Sequence, residues 1–219
     1  PRREATVKNA AKVVRFNLLA LMVFSVSAAI LGGCAGGYVG IRTPPPPLPY
    51  YDQPICPGPG YLWVPGYWAY GSDGYFWVPG IWEVAPRVGW LWTPGYWGWS
   101  GNAYIWHGGY WGMHIGFYGG VNYGYGYGGV GYEGGYWRNG AFHYNTAVTN
   151  VNVSVVHNTY TKEVVNTTTV SRVSYNGGRG GIMAKPTSQE LMAAREKHSG
   201  MTARQKQHHQ AARAQRQRM

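Results

Sequence analysis

The sequence predicts an all-β body: an antiparallel meander of hairpin repeats closing into a small barrel or sandwich. An N-terminal signal helix precedes it and a basic C-terminal helical tail follows it. Three observations predict this. A Trp/Gly string recurs at a nearly fixed interval, Pro and Gly punctuate it at constant offsets, and β-branched residues later alternate with polar ones. The 219 residues include 34 Gly and 14 Pro, yet aromatics reach 16%, so ring surface for a core is plentiful.

The leader comes first. A basic stretch ending at Arg15 is followed by an apolar run from Phe16 to Leu31, interrupted by Asn17, Ser25 and Ser27. That is the pattern of a secretory signal. The run is short of the ~20 residues that span a bilayer as a helix. It ends in Leu31-Gly32-Gly33-Cys34, which looks like a bacterial lipobox. The chemistry needs a thiol to carry diacylglycerol and small residues before it, so that a peptidase can approach the backbone. Residues 1–33 are therefore read as a signal peptide and Cys34 as the lipidation site. Ordinary cleavage with Cys34 incidental is the plainer alternative. Ala35 after the cysteine favours the outer membrane and leaves the periplasmic or surface face open. Cys56, the other of two cysteines, has no internal disulfide partner if Cys34 is acylated.

Residues 34–59 form a tether whose Pro44-Pro45-Pro46-Pro47 run favours extended polyproline and would hold the body off the membrane. Residues 60–113 carry the repeat. Tyr61-Leu-Trp63-Val-Pro-Gly66-Tyr-Trp68 returns as Tyr75-Phe-Trp77-Val-Pro-Gly80-Ile-Trp82. It returns again as Trp90-Leu-Trp92-Thr-Pro-Gly95-Tyr-Trp97 and as Tyr104-Ile-Trp106-His-Gly-Gly109-Tyr-Trp111. The period is 14 or 15 residues, and Val130–Trp137 reads as a decayed fifth copy. A hairpin turn at each Pro-Gly would set Trp63 opposite Trp68 and Tyr61 opposite Tyr70, all on one face. One conflict stands against that register: Pro-Gly suits a type II turn, whereas two-residue hairpins take types I′ and II′.

In residues 114–183, a Gly/Tyr stretch up to Gly140 reads either as strands with rings on one face or as a flexible glycine loop. Val151, Val153 and Val155, alternating with Asn150, Asn152 and Ser154, begin two or three half-buried strands over 147–175. Residues 184–219 change class. Thr187 or Ser188 is placed to cap a helix with Glu190 in its first turn, Gly200 divides two helices, and Thr202 can cap the second. With few apolar residues, this tail reads as solvated or partner-bound.

The copies at Tyr61–Trp68, Tyr75–Trp82 and Trp90–Trp97 resemble the YXWGXW (WXXGXW) repeat family of bacterial secreted lipoproteins. The likeness extends to Trp106–Trp111 and to Tyr144–Val148 and Val173–Gly178, and so covers most of residues 44–210. Trp90 in place of the leading Tyr and His107-Gly108 in place of Val/Thr-Pro are mild departures. The resemblance implies an envelope lipoprotein. Some members are described as accessory lipoproteins of contact-dependent growth-inhibition loci, a role that a repeat alone does not transfer.

The net charge of +11 is an end effect: residues 1–34 carry +4, residues 185–219 carry +6, and everything between carries +1. A nucleic-acid-binding body would concentrate its basic residues on the folded domain, so nucleic acid is not an expected partner. The seven histidines lack zinc-type spacing, and no metal or cofactor is expected. No nucleophile elbow, phosphate loop or dinucleotide fingerprint is present. The carboxylates Asp73, Glu83 and Glu133 have no motif behind them, which leaves an envelope hydrolase as the weakest of three readings.

The leading reading is a non-enzymatic protein, lipid-anchored in the membrane, that binds or organises surface material: polysaccharide, peptidoglycan or envelope proteins. The second is self-assembly of a structural surface protein by pairing of exposed Tyr/Gly edges between copies. Folding a sheet so rich in Gly requires most of its aromatic area to be buried. Ligand-binding rings are therefore sought off the regular pattern, at Trp90, Trp99 and Tyr70.

Overall fold

Each Trp of the repeat faces a Trp from the neighbouring copy and not from its own. The computed structural model describes residues 40–164 and 172–218; the signal-peptide residues 1–33 and the lipidation site Cys34 lie outside them. Strand β1 (Tyr61–Val64) pairs with β4 (Ile81–Val84), and β2 (Tyr67–Gly71) pairs with β3 (Gly74–Val78), both antiparallel. The second half repeats the plan: β5 (Leu91–Thr93) pairs with β8 (Tyr110–Gly112), and β6 (Tyr96–Trp99) with β7 (Tyr104–His107).

Two copies of the motif thus make one long hairpin, and each arm breaks at its Pro-Gly or Gly-Gly step. The reversals lie instead at Gly71–Gly74 and Ser100–Ala103, where Gly74 (φ 88°) and Gly101 (φ 93°) adopt the left-handed backbone that favours glycine. This corrects the expected register: Trp63 lies opposite Trp82, Trp68 opposite Trp77, and Tyr70 opposite Tyr75. The Pro-Gly turn that fitted a two-residue hairpin poorly is not a hairpin turn. The described strands form separate two- and three-stranded sheets and no closed barrel, so the architecture is all-β without the barrel that the pattern suggested.

The tether is corrected too. Its described part, residues 40–59, is a strap along the body. Ile41 exchanges backbone hydrogen bonds with Tyr104 (2.8 and 3.0 Å), and Leu48 and Cys56 are buried in the main core. Extended polyproline makes no internal hydrogen bonds, so its carbonyls are free to accept. Trp68 Nε1 donates to Pro47 O (3.2 Å), Trp82 Nε1 to Pro54 O (2.7 Å) and the Tyr75 hydroxyl to Thr43 O (2.9 Å). The aromatic sheet supplies the donors that this backbone lacks.

The Gly/Tyr stretch follows the strand reading over part of its length. It contains the short hairpin of β9 (Asn122–Gly124) and β10 (Tyr127–Gly128), and it drives Tyr118, Tyr123 and Tyr127 into the core. Their hydroxyls bond backbone carbonyls: Tyr123 donates to Gly95 O (2.7 Å), Tyr127 to Trp92 O (2.8 Å) and Tyr118 to Gly131 O (3.0 Å). Next come β11 (Gly135–Arg138) and β12 (Ala141–Asn145), with β13 (Thr159–Tyr160) parallel to β12. The strand expected over residues 151–155 does not form, and residues 165–171 of the expected strand region lie outside the described residues. Asn152 accepts from Ser154, Val155 and Val156 backbone N–H groups, a local turn that competes with ladder pairing and sends only Val156 into the core. Strand β14 (Tyr175–Asn176) lies parallel to β6.

Helix α1 (Ser188–Ala193) starts with a capping box between Thr187 and Glu190, and α2 (Ala203–Arg216) with one between Thr202 and Gln205. The tail is not simply solvated. Ser199 and Trp111 exchange backbone hydrogen bonds (2.7 and 3.0 Å), and the buried Gln205 accepts from Trp111 Nε1 at 2.8 Å. Polar side chains hold it down, which is why its low apolar content misled. Among the described residues no helix is long and apolar enough to cross a membrane.

Candidate functional site

The spacing Trp-x-x-Gly-x-Trp has one geometric meaning in all four copies. The second Trp of each copy pairs across the strands with the first Trp of its partner copy. These are Trp63–Trp82, Trp68–Trp77, Trp92–Trp111 and Trp97–Trp106, with ring centroids 5.3 or 5.4 Å apart and planes inclined by 55° to 68°. The first Trp reaches past that pair and lies over the partner's glycine. A Cβ on Gly66 would overlap the ring of Trp77, on Gly80 that of Trp63, on Gly95 that of Trp106, and on Gly109 that of Trp92. None of these four glycines has a positive φ; they are required for space, not for backbone conformation.

The two kinds of Trp also differ in their indole N–H. Every second Trp donates outward: Trp68 to Pro47, Trp82 to Pro54, Trp97 to Trp68 O (2.8 Å) and Trp111 to Gln205. The indole N–H groups of the first Trp residues have no hydrogen-bond partner among the described residues, and that of Trp63 is buried without one.

Where the two long hairpins meet, their corners enclose a cleft of about 340 Å³. Tyr67, Ala69 and Tyr70 form one wall, and Trp92, Trp97 and Trp106 form the other. The bare backbones of Gly66, Gly95, Gly108 and Gly109 lie between them, with Pro65 and Pro94 at the corners. Met201 and His209 of the tail complete the lining, which contains no carboxylate, lysine or arginine. Tyr67 stacks on Trp106 at 5.1 Å, and its hydroxyl bonds His209 Nδ1 at 2.8 Å. Burial pushes the Tyr67 phenol up to about 12 and lowers the His209 imidazole, which Arg213 and His208 lower further. This pair therefore stays neutral near pH 7, and the cleft is an uncharged, mainly aromatic surface.

Of the three rings expected to serve a ligand, Tyr70 (44% exposed) lines this cleft. Trp99 (36% exposed) lies elsewhere, against Tyr104 and the Gly177–Gly178 backbone. Trp90 is a correction: at 7% exposure it is core, its ring covered by the Arg87 guanidinium and its carbonyl bonded by Trp137 Nε1. It begins its copy where others have Tyr, and that irregularity reflected packing. Sequence reasoning missed Tyr67, Trp106, Met201 and His209. The residue between Gly and the second Trp was the available signal, because it points to the face opposite the Trp pairs.

The carboxylates do not converge. Glu83 is buried beside Arg204 (3.9 Å), and burial raises its carboxyl while the guanidinium opposes that. Glu133 pairs with Lys162 at 3.0 Å on an exposed surface, and Asp73 sits in the turn between β2 and β3, accepting from Ser72. Among the described residues no three His, Cys, Asp or Glu side chains cluster as metal ligands would. Cys56 is buried, its thiol donating to Gly58 O.

The fifth copy keeps half of the arrangement. Trp137 pairs with Phe142 at 5.4 Å, and Phe142 covers Gly135 as Trp77 covers Gly66.

The model of the WXXGXW repeat family matches the chain in two copies, at residues 58–83 and 87–111. Each match takes in two Trp-x-x-Gly-x-Trp strings, so one family repeat is one long hairpin. No curated protein and no solved structure matches the chain.

Proposed function

We infer that this chain, which carries two WXXGXW repeats, is a non-enzymatic cell-envelope protein whose aromatic body binds or organises surface material. Export and anchoring through Cys34 follow from the leader, with the outer membrane as the destination. The observation that carries the binding role is the cleft between the repeats, where Tyr70 stays exposed beside the half-buried Tyr67 and Trp106 although most other rings are spent on the core. Polysaccharide, peptidoglycan and envelope proteins are the candidate materials. Burial of Tyr118, Tyr123 and Tyr127 removes those rings from the self-assembly contact expected of the Tyr/Gly strands.

The binding role is tested by co-sedimenting the protein with purified sacculi and insoluble polysaccharides, and by pull-down of envelope proteins. Saturable binding that weakens in Tyr70→Ala, which lines the cleft, and not in Trp99→Ala, which lies outside it, with the far-UV spectrum unchanged, is the expected result. No binding in any of these assays discards the role. Anchoring is tested by growth on a labelled fatty acid: label incorporated by the natural chain and absent from Cys34→Ser is expected, and an unlabelled natural chain ends the lipoprotein reading.

A further inference from the structure

The cleft offers a sugar few polar partners. A bound glycan buries several hydroxyls, each of which must find a partner or lose its hydrogen bond to water. The side chains here are aromatic, proline, alanine and methionine, and the Tyr67 hydroxyl and His209 Nδ1 already satisfy each other.

The molecule itself shows what chemistry such a surface accepts. Residues 43–54 of the strap are an extended proline-rich chain held against the Trp68–Trp77 pair of the first repeat. Pro46 shares a hollow with Trp68, Tyr75 and Trp77, while indole and phenol groups donate to the strap carbonyls of Thr43, Pro47 and Pro54. Trp97 and Trp106 are the counterparts of Trp68 and Trp77 in the second repeat, and both line the cleft. The counterparts of the strap donors Trp68 and Trp82, which are Trp97 and Trp111, already donate to Trp68 O and Gln205, so the donors left here are the other two indoles of the repeat. The indole N–H groups of Trp92 and Trp106 have no partner among the described residues. The Cζ2 atoms beside them reach over Gly109 and Gly95, the bare backbone between the cleft walls.

We propose that the cleft between the repeats is a receptor for an extended, proline-containing segment of another protein. Aromatic faces take its proline rings, and the Trp92 and Trp106 indoles donate to its carbonyls. The inference rests on the binding role above and narrows the surface material to polypeptide. Met201, an unbranched and adaptable side chain, lets the lining follow different residues between the prolines.

The test uses the full chain and a fluorescein-labelled synthetic peptide with the sequence of residues 43–54, followed by anisotropy. Saturable binding is expected, and a Gly/Ser peptide of equal length should not bind. Tyr70→Ala and Trp106→Phe should each weaken binding about tenfold, with near-UV spectra confirming the fold. Trp68→Phe, which touches the strap and not the cleft, should leave the affinity unchanged. Absence of binding overturns the proposal. So does binding that weakens in Trp68→Phe but not in Tyr70→Ala, because the peptide would then be replacing the strap. Displacement of the peptide by soluble oligosaccharides also overturns it and assigns the cleft to glycans. Failure of the envelope reading shows differently, as a chain without lipid on Cys34, and leaves the peptide result standing.

Discussion

The two long hairpins are built alike and held differently. In the first, Trp68 and Trp82 donate their indole N–H groups to the proline-rich strap; in the second, Trp97 donates to the first hairpin and Trp111 to the tail. The internal geometry, two crossed Trp pairs and two covered glycines, does not change between them. The motif therefore specifies the inside of a hairpin and leaves its outer donors to whichever acceptor the next segment brings. A backbone carbonyl serves as well as the Gln205 amide.

The likeness of the interiors can be broken at the glycines, where the largest effects are expected. Gly66→Ala, Gly80→Ala, Gly95→Ala and Gly109→Ala each force a Trp ring off its seat and should each cost about 3 kcal/mol in urea denaturation. Tolerance at Gly95 and Gly109 alone would mean that the second hairpin is packed less tightly. The outer donors should separate the hairpins. Trp111→Phe removes one of the two donors to the buried Gln205 Oε1, the Thr202 N–H remaining as the other, and should cost about 1.5 kcal/mol, with faster proteolysis of the tail. Trp68→Phe frees a strap carbonyl that water can reach and should cost under about 1 kcal/mol. Equal costs would show that strap and tail are held equally.

The smallest effect concerns pH. Burial holds the His209 imidazole below its ordinary 6.5, so the unfolded chain takes up the proton first. Stability should be level above pH 6.5 and decline below it until His209 also protonates in the folded state. His209→Phe should flatten part of that decline in thermal melts across pH 5 to 8. A remainder is expected from His107, which burial also lowers. An unchanged profile would remove His209 from the tail's attachment.

Much of this was legible in the sequence. The copies, their period and both helix caps could be read because each depends on residues a few positions apart. The pairing could not be read from Pro65-Gly66 alone. A glycine needed for φ and a glycine needed for space look the same in a string of letters, and only the ring over Gly66 tells it from Gly74. Burial of Trp90 and of the Gly/Tyr segment escaped for a related reason. Their partners, Trp137 for one and the hairpin corners for the other, lie 28 to 47 residues away along the chain. The cleft was half visible: Tyr70 was found as an irregular ring, whereas His209 and Met201 arrive from a tail whose polar attachments leave no hydrophobic pattern.

The reciprocity of the Trp-over-Gly contact limits how such a gene can lengthen. A single 14-residue copy inserted into the array would bring a Trp with no glycine to cover and a glycine with no ring above it. Duplication must add copies two at a time to leave every ring seated. The odd copy at residues 130–137 shows the alternative, because it survives by recruiting Phe142 from the following strand in place of the missing tryptophan.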